Sequence, residues 1–167
     1  TRTLGALGGM IASRIARECE FGGPSFAVSR DEASGLAALH IAAGSLARGE
    51  LDAAVVGAID MAGDLRSVLT ADALQPFSTD IPPGEGAVAI VLKRLEDARR
   101  DGDRIYAVLS DAEFSSGHRQ SPFVVSESFL AADTPLATGS VATIVGRTGA
   151  AAGLASLVKA TLCLYHQ

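Results

Sequence analysis

Ala87-Val88-Ala89-Ile90-Val91-Leu92 is an unbroken apolar run, and it reads as the strongest strand in the chain. A second run, Ala53-Ala54-Val55-Val56-Gly57-Ala58, is also continuous, small and apolar, the pattern of a strand covered on both faces. Helix-period segments alternate with these runs. Residues 4–19 set Leu7, Ile11 and Ile15 four apart, with Gly8 and Gly9 leaving space for a close neighbour. Residues 31–48 put Leu36, Leu39, Ala43 and Leu46 on one face, with Asp31 as the cap and Gly49 as the stop. Residues 61–74 and 95–100 read as short helices, the second stopping at Asp101-Gly102. Residues 150–166 form a longer helix with Leu154, Leu157, Val158 and Leu162 on one side. Further strands are predicted at 25–28, 104–109 and 141–145, a loop at 76–86, and irregular sequence at 115–138. This alternation predicts an α/β domain with a substantially parallel sheet.

Composition narrows the class. The chain has 167 residues, the size of about one domain. Its 48% hydrophobic content supplies a core, and its 18 glycines with many alanines predict close backbone packing. A net charge of −5 leaves no electrostatic footprint for a phosphate backbone, so nucleic acid is excluded as a partner. Two cysteines, Cys19 and Cys163, make neither a disulfide framework nor a four-ligand zinc site, and both read as small buried hydrophobes. No apolar run reaches the roughly 18 residues of a membrane span, and no signal peptide is recognisable. The first residue is Thr, which suggests a piece of something longer, and a soluble cytoplasmic location is expected.

Two glycine-rich segments stand out. Gly146-Arg147-Thr148-Gly149 before Ala150-Ala151-Ala152-Gly153 resembles a phosphate-cradling turn, but neither GxxxxGK[ST] nor GxGxxG is present. Tight glycine packing at a helix start is the favoured reading. Pro83-Gly84-Glu85-Gly86 places a carboxylate between glycines just before a strand, where it would bond neighbouring backbone N–H groups. His40, His118 and His166 are scattered, and with no HExxH or CxxC motif a metal site is not expected.

Four blocks in order carry a resemblance. Gly23-Pro24-Ser25-Phe26-Ala27-Val28-Ser29 with Ser34-Gly35-Leu36-Ala37-Ala38-Leu39-His40 resembles the nucleophile region of β-ketoacyl synthases. Leu51 to Ala58, Pro83 to Val108, and Gly139 to Leu164 are similar to the segments that follow in that family. The resemblance implies a thiolase-like layered αβαβα architecture, only partly covered by this chain. It implies a dimer and decarboxylative condensation of acyl groups on phosphopantetheine-linked acyl carrier protein, with no other cofactor bound. In such a cycle a Cys at a helix N-terminus takes the acyl group, and two histidines stabilise the enolate.

The same alignment marks departures. The nucleophile position falls on Glu32, the second histidine on Arg147 and the family lysine on Ala142. The first-histidine block is not recognisable within 117–139. No catalytic position is intact, so enzyme activity is left open. Glu32 is expected to fill the old nucleophile pocket at its helix start, with Arg147 placed to pair with it. A decarboxylating role for Glu32 is the minor alternative.

The run Val28-Ser29-Arg30-Asp31-Glu32-Ala33-Ser34 resembles the chain-length-factor-like domain of polyunsaturated fatty acid and polyketide synthases. That subtype implies a non-condensing partner of an active ketosynthase, or of a second copy, that shapes the acyl tunnel, with Phe26 near the dimer two-fold. The alternatives are an acyltransferase with displaced catalytic groups and an inactive excised fragment. The chain is short for the family. It reads as one partial domain, with 1–117 from the N-terminal half and 139–167 from the C-terminal half.

Overall fold

The computed structural model describes residues 8–61, 64–74, 82–109 and 141–166. Expectations that fall on 115–138, on His118, on the ends at 4–7, and on most of the 76–86 loop lie outside these residues.

Helix α1 spans Gly9–Glu18 and carries Ile11 and Ile15 on a surface that stays exposed. Helix α2 spans Ser34–Ala47. It buries Leu36, Leu39 and Leu46, three of the four residues that its period picks out. Strand β1 is Ala53–Asp60 and strand β2 is Gly86–Lys93. Between them lies α3, Leu65–Leu74, and after β2 comes α4, Leu95–Asp101. A four-residue α5, Ala142–Val145, precedes α6, Ala152–Tyr165. The exits of α2 and α4 follow one design. Gly49 and Gly102 both take φ +72°, and the next amide reaches back five residues, Glu50 N–H to Ser45 O at 3.0 Å and Asp103 N–H to Ala98 O at 2.9 Å.

The sheet corrects one expectation. β1 and β2 pair antiparallel, in register from Ala53↔Lys93 to Asp60↔Gly86. Because Asp60 and Gly86 face each other, the chain leaves β1 and enters β2 at the same end. The helix between them therefore returns the chain instead of crossing over, a distinction that element order alone does not carry. Coverage differs too. Val56 is buried, and Ala58, Val88, Ile90 and Leu92 pack on the same core, whereas Val55, Ile59 and Val91 stand exposed on the opposite face. An all-apolar strand is dressed on one side only by the described residues.

The core joins α2, β1 and α6 through Leu36, Leu39, Val56 and Leu154, with Leu154 fully buried. Glycine sets how near the helices come. A Cβ on Gly153 would lie 2.6 Å from Leu36 Cγ, and one on Gly35 would lie 2.9 Å from the Ala150 carbonyl oxygen and 3.0 Å from Leu154 Cγ. The close packing predicted from glycine and alanine content is found at this crossing.

Other local predictions fail. Residues 25–28 and 104–109 join no ladder among the described residues, and 141–145 is mostly helix. β-Branched sequence favours a strand only where a partner satisfies its backbone. Neither cysteine is buried: Cys19 is exposed and Cys163 is half-buried.

Candidate functional site

Two helices begin beside each other. A 3₁₀ turn at Asp31–Ala33 leads into α2, and another at Gly149–Ala151 leads into α6. The two turns pack together at one end of the α2–α6 crossing. The first turn is an elbow. Asp31 has φ +47°, a left-handed conformation that aspartate adopts more readily than most side-chain-bearing residues. Asp31 is therefore not the cap that the sequence suggests, and no side chain caps α2 at Ala33. Ser34 steadies the elbow instead: its Oγ accepts from the Arg30 amide at 2.8 Å and donates to the Asp31 carbonyl at 2.6 Å.

Glu32 follows this left-handed residue directly and is exposed. The ion pair expected with Arg147 is not formed. Arg147 is half-buried, and its backbone is committed elsewhere. Its N–H donates to the Pro82 carbonyl and its own carbonyl accepts from the Gly84 amide, both at 2.9 Å, in a parallel bridge with Pro83. Ala142 opens α5 and is half-buried. Phe26 is 54% exposed on the unpaired 25–28 segment. The structure thus brings the Glu32 and Arg147 turns to one end of the helix pair without joining their charges.

The bridge brings together the two glycine-rich segments. A Cβ on Gly84 would collide with the Val145 carbonyl and lie 2.9 Å from Gly146 Cα, while one on Gly146 would lie 2.9 Å from Gly84 Cα. Thr148 is buried, with its methyl 3.1 Å from where a Gly86 Cβ would stand. Glycine here serves backbone contact, as expected at this helix start. Glu85 is exposed, and among the described residues no backbone N–H bonds its carboxylate in the way predicted for it.

One residue escaped the sequence reading. Asp60 ends β1, and its Oδ2 accepts the Ala150 amide at 3.0 Å. The same carboxylate occupies the place of a side chain on Gly149, whose φ is +41°. A carboxylate at the start of a helix suits the exposed amides and the positive end of the dipole. The only signal was one acid closing an otherwise apolar run.

Among the described residues no group of His, Cys, Asp and Glu could hold a metal ion. No helix among them is long and apolar enough to cross a membrane.

Comparison with known proteins places this geometry. Residues 1–98 match the β-ketoacyl synthase N-terminal domain, and residues 66–167 match its C-terminal domain. The chain is 33% identical over 176 residues to the polyketide synthase PksM of Bacillus subtilis, covering 90% of this chain and 4% of that protein. It is 38% identical over 111 residues to PksL of the same organism, covering 59% of this chain and 2% of that one. Among solved structures, a ketosynthase from module 1 of the bacillaene synthase of Bacillus amyloliquefaciens matches at 25% identity and a TM-score of 0.65, over 97% of this chain and 40% of that one. A module 6 ketosynthase of the bacillaene synthase from Bacillus subtilis matches in fold, at 23% identity and a TM-score of 0.71, over 97% and 39%. The chain spans well under half the length of these relatives, so the thiolase-like α/β fold expected from the resemblance is present in part. On both domain matches, the chain belongs to the β-ketoacyl synthase family.

Proposed function

We propose that this chain is part of a non-condensing, chain-length-factor-type ketosynthase domain in a polyketide or fatty acid synthase. Its role is to pair with a competent ketosynthase, or a second copy, and line the tunnel that holds the growing acyl chain. The acyl groups arrive on phosphopantetheine-linked acyl carrier protein in the cytoplasm.

The observation that carries the reading is Glu32, a carboxylate on the elbow that opens α2, at the position aligned with the family nucleophile. A thiolate exchanges with a thioester because both states are thioesters of similar energy. Glu32 has no sulfur to accept the acyl group in that form. Arg147 and Ala142 likewise supply no imidazole or lysine where the enolate would need stabilising. Phe26, 54% exposed on the segment five residues before the elbow, supports pairing through that segment.

Intact-protein mass spectrometry after incubation with acyl- and malonyl-loaded carrier protein tests the reading. An unmodified mass, with malonyl left intact on the carrier, is the expected result. A stable acyl adduct would establish an acyltransferase with displaced groups and direct attention to Cys19, Cys163 or a serine. Conversion of malonyl to acetyl on the carrier would assign Glu32 to decarboxylation.

A further inference from the structure

We propose that Asp60 is a positioning residue: an internal anion that fills the glycine turn before α6 and fixes where that turn sits on the end of the sheet. The inference goes beyond the tunnel-lining role and holds whether or not the domain condenses.

Three observations converge on it. The Asp60 Oδ2 accepts the Ala150 N–H at 3.0 Å, from a residue 90 positions away. The carboxylate stands where a Gly149 side chain would begin, with Asp60 Cγ 3.0 Å from that point, so this turn closes only on glycine while Asp60 is there. On the neighbouring strand Gly86, the ladder partner of Asp60, receives buried Thr148. The last rung of the sheet is thus a seat for Thr148, Gly149 and Ala150 together.

A turn of this kind at the start of a 14-residue helix is suited to hold an anion from solution. Here the protein's own carboxylate has taken the place. Arg147 lies immediately before the seated residues and is clamped on its other side by Pro82 and Gly84. The 82–84 bridge thus holds the backbone of Arg147 itself, and Asp60 holds the turn that follows it, the turn that packs against the Glu32 elbow.

Amide hydrogen exchange on the full chain, followed by NMR, tests the seat. In Asp60→Ala the Ala150 amide should exchange at least ~10-fold faster, with chemical-shift changes concentrated at residues 147–152 and exchange around Ala160 unchanged. Asp60→Asn keeps an acceptor oxygen of the same reach and should hold Ala150 exchange within ~3-fold of the parent. That rescue separates positioning from general support. Unchanged Ala150 exchange in Asp60→Ala overturns the inference, as does a uniform rise across α2 and α6. If Asp60→Ala does not fold, Asp60→Asn decides: slow Ala150 exchange supports the seat, and fast exchange or failure to fold refutes it. A carrier-protein adduct in the mass experiment would leave all these outcomes readable, because none depends on acyl transfer.

Discussion

Replacing Gly153 by Ala sets two known effects against each other. Alanine gains about 1 kcal/mol over glycine in a helix interior, and Gly153, in the first turn of α6, can gain at most that much. The new methyl, however, would lie 2.6 Å from Leu36 Cγ, 2.7 Å from Cδ1 and 3.1 Å from Cδ2. Rotation about χ2 of Leu36 leaves the Cγ contact in place, and rotation about χ1, which moves all three atoms, must push the side chain into its packed neighbours. Leu36 is 7% exposed and belongs to the cluster with Leu39, Val56 and Leu154, so it has little room to retreat. Overpacking of this kind costs ~1–3 kcal/mol. The net expectation is a loss of about 1 kcal/mol, or ~2–4 °C in Tm for a chain of this size. The decisive assay is a double-mutant cycle by urea unfolding. Leu36→Ala alone should cost ~2–5 kcal/mol by opening a cavity. In the Gly153→Ala background it should cost less by at least ~1 kcal/mol, because the added methyl then occupies part of that cavity. A coupling below ~0.5 kcal/mol, or a Gly153→Ala variant more stable by the full helix-propensity gain, would refute the claim that glycine sets the α2–α6 distance.

Other outcomes follow from exposed charge. Glu32→Gln should move Tm by less than ~2 °C, since Glu32 is exposed and has no ion pair among the described residues; a larger fall in a thermal melt would restore the buried pairing with Arg147. Hydrogen bonds from Arg100 and Lys93 hold the Asp101 carboxyl down, from an ordinary 3.8 to about 2. Its contribution to stability is therefore complete above the ordinary carboxylate value and fades as pH falls through about 2; in Arg100→Ala an NMR titration of Asp101 should move its midpoint upward. Arg94 donates to the Leu51 carbonyl and to Asp52 at 2.8 Å and Asp97 at 2.5 Å, tying the entry of β1 to the exit of β2. Arg94→Ala should lower Tm more than Arg48→Ala, whose partner Glu50 is two residues away, and Arg94→Lys should not restore it, for want of a fork of donors.

What could be read from the sequence divides along a physical line. Leu36, Leu39 and Leu46 declare their face because a helix needs no distant partner to express its period. Gly49 and Gly102 declare the helix exits, because only glycine takes that backbone conformation at no cost. Strand identity is a relation between segments. β1 and β2 satisfy it, whereas 25–28 and 104–109 carry strand-forming residues without a ladder partner among the described residues. The direction of the sheet depended on which end the chain returned to, which composition does not encode. At the site, the family blocks located both turns, but Asp60 meets Ala150 across 90 residues and announces itself only in three dimensions.

The two-stranded sheet has a consequence for how assembly could be detected. In an antiparallel pair each strand directs alternate N–H groups inward to its neighbour and the rest outward. With β1 and β2 paired only to each other among the described residues, their exchange rates should alternate, slow then fast, along Ala53–Asp60 and Gly86–Lys93. A strand donated by another polypeptide along either border would slow the fast set on that strand alone. The odd–even pattern is therefore a built-in reporter, able to tell which border of the sheet a companion chain has joined.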